Sequence, residues 1–350
     1  MRDLDLETWE VDSGALGLPR RSRWRARFKR LLSWATWLYV LGVAAVGAII
    51  WFAGDRSWIS LPLLYGPRWL LLAPLILLVP LAIALRATGA AFGLTLVAAA
   101  IAGPILGFQA SPRALATGDA PRDLRILSHN LGTMAPTAPR FLAVLEQVRP
   151  DVAVLQECIP AGTSGELTVP GWFTHYTTQM CLLSKHPIVA VEERDRKDVW
   201  ERGGSGAIVL YTIETPSGRL QLLNLHLETP RDGLIALRHL DVREARDNLT
   251  ERAWESGLAR EWADKATLPL LVAGDFNMTE DSALYRATWR GFDNAFGSAG
   301  LGYGDTKETS WYGARIDHVL LGPQWEATRA WIAPETGSDH RPIVAEVRRK

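Results

Sequence analysis

Hydrophobic and polar positions divide the chain into two regimes. In the first, apolar residues run nearly unbroken: residues 31–54 hold no charge before Asp55, a second stretch covers 69–85, and a third covers 87–110. A helix crossing a bilayer needs roughly 20 apolar residues, so the first and third stretches qualify by length. The second contains Pro74 and Pro80, and becomes long enough only if it starts near Leu61 and Arg68 snorkels at the interface. Three spans are expected, with two as the alternative.

After Ser111 the apolar runs shorten to strand length. Residues 124–128, 152–156, 180–183, 207–213, 220–225, 268–273, 316–321 and 343–347 read as strands, and Thr215-Pro216-Ser217-Gly218 as a hairpin turn. Phe141, Val144, Leu145 and Val148 recur at helical spacing, and 234–262 carries alternating charges suited to one or two amphipathic helices. This mixture predicts a layered α/β domain with mixed sheets. The expected organisation is a basic tail over 1–30, a membrane anchor over 31–110, a linker over 111–123 and a folded domain over 124–350.

Charge sharpens the division. Residues 1–110 carry 11 Lys and Arg against 6 Asp and Glu, or +5, and residues 111–350 carry 27 against 32, or −5. A mildly acidic domain lacks the broad basic face that grips long nucleic acid. The positive charge gathers between Arg20 and Arg30, directly before the first apolar stretch, and such a cluster stays cytoplasmic. A charged lead of this length, with no small-residue cleavage site after Trp51, reads as an anchor and not as a cleaved signal. With three spans everything after Ser111 lies outside the cytoplasm; with two it lies inside.

Cys158 and Cys181 flank strand-like runs that could be sheet neighbours. Outside the cytoplasm a disulfide between them is permitted; otherwise they are two small buried apolar residues. There is no CxxC and no Cys/His zinc spacing.

The chemistry concentrates at the ends of the strand-like runs. Five of them deliver polar groups: Asn130, Glu157, His226, Asp275 with Asn277, and Asp339 with His340. A single polar tip is a cap or a turn residue, whereas five look like one site assembled from distant pieces. Asn130 in Ser128-His129-Asn130, Glu157 in Leu155-Gln156-Glu157, Leu183-Ser184-Lys185-His186-Pro187-Ile188, Asn224-Leu225-His226-Leu227, Gly274-Asp275-Phe276-Asn277, Arg315-Ile316-Asp317-His318 and Ser338-Asp339-His340-Arg341-Pro342 follow one another in a recognisable order. That order resembles the endonuclease/exonuclease/phosphatase superfamily, which includes pancreatic-type deoxyribonucleases, apurinic endonucleases, neutral sphingomyelinases and inositol polyphosphate phosphatases. The resemblance covers the folded domain and not residues 1–110, although bacterial members with short multi-span anchors look similar.

What the resemblance implies is specific. The fold would be a four-layered α/β sandwich, two mixed β-sheets flanked by helices, preceded here by a three-helix transmembrane anchor. The activity would be Mg²⁺-dependent hydrolysis of a phosphodiester, with Mn²⁺ as an alternative ion, on nucleic acid or a phospholipid headgroup. Glu157, Asn130 and Asp339 would serve the metal, since a hard cation takes one or two carboxylates plus waters and substrate phosphate. Asp275 would orient or deprotonate the attacking water, Asn277 would donate to the phosphoryl oxygens, and His226 would contact the scissile phosphate or the leaving group. His340, charged and oriented by Asp317, would stabilise the phosphorane. The bland reading makes His226 a satisfied core histidine, and it fits His129 and His318 better still; Glu228 and Arg231 read as rim or surface residues. Location in a bacterial inner or plasma membrane is implied, with the lipid bilayer as the only partner besides substrate. The alternatives are a phosphomonoesterase or a catalytically silent module that binds phosphate or lipid. The short segment between Glu157 and Cys181 lacks the basic and aromatic clusters of a duplex-gripping loop, and the charged, Gly-rich 194–206 has no assigned role.

Overall fold

The computed structural model describes residues 20–115, 121–159, 167–177 and 179–350. Among the described residues the chain forms two compact units, one of 20–43 with 72–99 and one of 44–71 with those from 100 onward. The expected tail and linker lie partly outside the described residues. In the smaller unit, Leu32, Ala82, Ala90 and Leu94 are buried together, with Tyr39, Leu75 and Leu78 packed on them. A helix runs over Arg20–Phe52, so the basic cluster is helical and continuous with the first apolar stretch. Among the described residues two helices are long and apolar enough to cross a membrane, Trp24–Phe52 and Thr88–Ile105, and Arg68–Ala84 is shorter.

The larger unit is built on two six-stranded sheets. Its strands are β1 (Leu124–Asn130), β2 (Val152–Gln156), β3 (Phe173–Thr177), β4 (Met180–Ser184), β5 (Ile188–Glu193), β6 (Ala207–Thr215), β7 (Gly218–His226), β8 (Leu270–Asp275), β9 (Asp293–Asn294), β10 (Asp317–Leu321), β11 (Trp325–Ile332) and β12 (Ile343–Arg349). One sheet has the order β11-β12-β1-β2-β4-β3 and the other β9-β10-β8-β7-β6-β5. In each, a single parallel pair, β1 with β2 or β7 with β8, sits among antiparallel neighbours.

Alternation explains the layering. Ile126, Val154, Leu182, Val209, Leu222, Leu271, Val319 and Ala345 point into one core between the sheets. Their neighbours one residue along, Leu127, Ala153, Leu155 and Val344 on the first sheet, pack instead against Phe141, Val144, Leu145 and Val148 of the helix Pro139–Val148. On the second sheet Leu223, Leu225 and Val272 pack on the outer side with Ala259 and Ala263 of the helix Val242–Asp264. The period of two assigns every apolar residue to an inner or an outer layer, giving a helix-sheet-sheet-helix sandwich. The amphipathic region expected as one or two helices is two, Arg231–Arg238 and Val242–Asp264, broken where Leu240 takes φ 60°.

Beneath the site the two sheets are joined by a buried polar clasp. Gln156 Nε2 donates to Asn224 Oδ1 at 2.8 Å, and Asn224 Nδ2 donates to the carbonyls of Leu155 at 3.2 Å and Cys181 at 3.3 Å. Cys158 and Cys181 are joined by a disulfide, with their Cα atoms 5.9 Å apart.

Gly274 shows how little freedom the strand end has. Its φ is +150°, and a Cβ there would lie 1.9 Å from the Leu225 carbonyl oxygen on the neighbouring parallel strand. No side chain can yield to relieve a clash with backbone. Gly274→Ala is expected to destabilise the domain by ~4 kcal/mol or more, and a thermal melt of the purified variant would show either a collapsed transition or no folded protein.

Candidate active site

The parallel pairs set the geometry. Asn130 ends β1, Glu157 follows β2, and His226 and Asp275 end β7 and β8 as register partners. β10 runs antiparallel to β8, so its first residue, Asp317, pairs with Asp275. His340 lies three residues before β12, which is antiparallel to β1. All of these groups therefore meet at one end of the sandwich, where a cleft of about 730 Å³ is lined by Glu157, His226, Asp275, Asn277, Asp339 and His340.

At its floor the groups are tightly bonded. Asn130 Nδ2 donates to Glu157 Oε1 and to Asp275 Oδ2, both at 3.0 Å, while Asn130 Oδ1 accepts from the Gly132 amide at 2.9 Å. Asp275 Oδ1 accepts from the Asn277 amide at 2.9 Å. His340 Nδ1 and Asp317 Oδ2 are 2.9 Å apart, which leaves His340 Nε2 pointing at Asp275 Oδ2 from 3.7 Å. His226 Nε2 stands 3.7 Å from Glu157 Oε1 and 3.8 Å from Asp275 Oδ2. Glu157 and Asn277 hold left-handed backbone, at φ 47° and 52°. Such conformations in residues other than glycine cost energy and gather at functional sites.

Burial makes these charges interact strongly. For His340, burial alone would depress the imidazole, but the carboxylates of Asp317 and Asp275 outweigh it and hold its pKa at about 9. Asp275 is pushed above the ordinary carboxylate range by burial and by the neighbouring Asp317 charge. Asp317 is buried too, yet the imidazolium bonded to it keeps it below that range.

Donor chemistry tests whether a cation fits. Donor atoms of Asp275, Asp317 and His340 lie within 4.8 Å of one another. Two of that trio are already committed to the His340–Asp317 bond, whereas Glu157 opens to the cleft and faces the third, Asp275, across the Asn130 amide. Among the described residues no Lys or Arg forms an ion pair with Glu157 or Asp275. Two carboxylates that converge with no Lys or Arg paired to them suit a hard divalent cation, with the imidazoles of His226 and His340 standing 3.7 to 3.8 Å away.

Not every expected residue stands where its role would put it. Asn277 faces the cleft, but its Nδ2 already donates to the Leu227 carbonyl at 2.8 Å, leaving one hydrogen for a ligand. Asp339 is on the rim, paired with Lys307, and not on the floor with Glu157. His129 and His318 are core residues: His129 Nε2 meets the Thr336 hydroxyl and His318 Nε2 the Met278 carbonyl, each at 2.8 Å. Burial drives their pKa values down to about 3 and about 4. Glu228, read as a rim residue, is buried; its Oε2 accepts from both the amide and the hydroxyl of Ser205 at 2.8 Å. It thereby fixes the end of 194–206 against the cleft.

Three contributors carried no sequence signal. Thr306 Oγ1 accepts from the amides of Ile316 and Asp317 at 3.1 and 3.0 Å, holding the start of β10. Lys307 brings a cation to the rim. The third is Tyr65, from the segment between the first two apolar stretches. Arg252 Nη2 donates to its hydroxyl at 2.6 Å and to the Asn277 carbonyl at 2.9 Å, and the hydroxyl reaches that carbonyl at 3.3 Å. A tyrosine 212 residues away in the chain from Asn277 gives no local pattern to find.

A family description, Endonuclease/Exonuclease/phosphatase family, matches residues 127–340. The chain belongs to that family, whose members are hydrolases of phosphoester bonds. No curated protein matches the sequence. Similar solved structures include an endonuclease/exonuclease/phosphatase from Beutenbergia cavernae, 18% identical, TM-score 0.49, covering 65% of this chain and 72% of that one. A mannosyl-6-phosphatase from Bacteroides thetaiotaomicron is 16% identical, with TM-score 0.49 and coverage of 64% and 99%. D. rerio TDP2 complexed with single strand DNA product is 15% identical, with TM-score 0.49 and coverage of 64% and 98%.

Proposed function

We propose that the chain is a membrane-anchored, metal-dependent phosphoesterase that hydrolyses phosphodiester bonds through in-line attack of water, with its catalytic domain outside the cytoplasm. The observation that carries this reading is the convergence of Glu157, Asn130 and Asp275 with the His340–Asp317 couple at the floor of one cleft. Glu157 and Asn130, with Asp339 through water, would hold Mg²⁺ or Mn²⁺. When bound, the ion would neutralise charge on the phosphoryl oxygens.

The remaining steps belong to side chains. Asp275, fixed by hydrogen bonds from Asn130 and Asn277, orients a water and accepts its proton, and a pKa raised by burial suits it to that task near neutral pH. His340, held as an imidazolium by Asp317, turns Nε2–H toward the charge that grows on the phosphoryl group. The free Asn277 amide hydrogen adds a second donor, and His226, between Glu157 and Asp275, faces the leaving group. Arg231, Arg238 and Lys307 on the rim favour an anionic substrate. Glu157→Gln is the test of the metal assignment: the Mg²⁺ concentration for half-maximal activity should rise roughly 10- to 100-fold, and an unchanged metal titration would refute it.

Membrane topology has its own support. Residues 53–71, which follow the first long apolar helix, fall in the same compact unit as 106–350, which follow the second. The stretch between them would then cross an even number of times, which together with the first helix would make an odd total. With the basic cluster cytoplasmic, an odd total would put the domain outside, and the Cys158–Cys181 disulfide supports that side because it is chemically stable there. A periplasm-active reporter fused after Lys350 should be active and a cytoplasm-active one silent; the reverse would refute the orientation.

A further inference from the structure

Beside the catalytic cleft lies a second cavity of about 470 Å³, lined by Trp51, Leu64, Trp69, Leu106 and Phe108 among others. Tyr65, Tyr312 and Ala314 line both, so the two spaces share a wall. Four of the five charged side chains lining this second cavity pair within it, Arg68 with Asp281 and Arg315 with Glu280 at 3.3 Å, and the fifth, Asp305, is half-buried. Hydrogen bonds fix the surroundings as well, with the Tyr312 hydroxyl on the Tyr65 carbonyl and Trp69 Nε1 donating to the Trp311 carbonyl at 3.0 Å. Phe108 stacks edge-on against Tyr303 at 5.2 Å. Apart from Asp305, what remains open to a ligand is mostly aromatic and aliphatic surface.

Placement restricts the occupant further. Trp51 belongs to the last turn of the first apolar helix, and Leu106 and Phe108 directly follow the Thr88–Ile105 helix. Phe52, Ile59 and Trp311 nearby in the same unit are exposed, at 74%, 65% and 75%. If those helices span a bilayer, the cavity lies where acyl chains meet headgroups, and tryptophan and tyrosine favour that level. We infer that the cavity takes the alkyl part of an amphiphilic phosphoester whose phosphate sits between Glu157 and His340, so that the substrate is a lipid-like phosphodiester. This rests on the phosphoesterase reading of the site and narrows its substrate class.

The test compares p-nitrophenyl hexyl phosphate with p-nitrophenyl methyl phosphate, using the full chain in a detergent that neither ester perturbs. Each methylene moved from water into the cavity adds binding energy, and kcat/KM should favour the hexyl ester by roughly tenfold or more. Leu106→Trp, which fills the cavity, and Phe108→Ser, which removes one of its walls, should each abolish the preference and leave methyl-ester turnover within about twofold. Equal kcat/KM for the two esters in the wild type, or a preference untouched by either substitution, would overturn the inference. Hydrolysis of neither ester would refute the phosphoesterase reading alone. Calorimetry with hexyl phosphate and methyl phosphate then decides the cavity by itself: tighter hexyl binding lost in Leu106→Trp supports it, and equal binding refutes it.

Discussion

His340→Gln is expected to lower kcat for a phosphodiester by about 10²- to 10⁴-fold, the range for removing a positioned proton donor. The glutamine amide can still donate to Asp317 Oδ2, which His340 Nδ1 meets at 2.9 Å, so the buried carboxylate keeps a partner. Alanine would leave it without one, and an uncompensated buried charge costs about 3–5 kcal/mol. The two substitutions therefore separate chemistry from folding. The glutamine variant should melt close to the wild type while losing turnover, with KM within a few-fold. Stopped-assay kinetics beside a thermal melt would check it, and near-normal kcat would remove His340 from the mechanism.

Asp317→Asn should change the pH profile as well as the rate. His340 is held at about 9 although burial opposes its charge, and the Asp317 carboxylate does most to overcome that burial. Wild-type kcat/KM should therefore fall as pH rises through about 9, where the imidazolium loses its proton, and also fall in acid as the raised Asp275 takes one up. Without the Asp317 charge the alkaline limb should move toward neutrality by about one to three pH units, with a rate loss on the order of 10³- to 10⁴-fold. The same couple acts on stability. The folded His340 value is raised above its ordinary 6.5, so the stabilisation is complete below about 6.5 and is lost as pH climbs through about 9. In Asp317→Asn that alkaline loss should vanish. A pH-rate profile with an unmoved alkaline limb would show that Asp317 does not set the state of His340.

The sequence was most legible where strands are buried on both faces. β1, β2, β4, β6, β7, β8, β10 and β12 are interior strands, and each reads as an apolar run because both of its faces are covered. The unread strands, β3, β5, β9 and β11, are the four sheet edges. Phe173-Thr174-His175-Tyr176-Thr177 mixes polar and aromatic residues on a partly exposed edge, and Ile188-Val189-Ala190-Val191-Glu192-Glu193 offers an apolar run of only four residues, exposed or half-buried, before its two acids; charged ends of this kind protect a sheet edge from further pairing. Site residues at strand tips were visible for the same reason as the interior strands, since an abrupt Asp275 or His226 after apolar residues marks a place where the chain emerges. Tyr65 and Arg252 escaped because their meaning lies in a triangle of bonds around the Asn277 carbonyl. No spacing along the chain encodes that triangle. Glu228 was misread because its acidic character suggests solvent, whereas the amide and hydroxyl of Ser205 satisfy it inside.

The central claim is that the strand tips form a metal-dependent phosphoester site with Asp275 at its centre, and one assay addresses it directly. The full chain in detergent micelles would be incubated with bis-p-nitrophenyl phosphate and Mg²⁺, with and without excess chelator, beside Asp275→Asn. The account predicts nitrophenol release that stops with chelator, returns when Mg²⁺ is restored, and falls by about 10³-fold or more in the variant. Release that ignores the chelator, or that proceeds equally in Asp275→Asn, would contradict it.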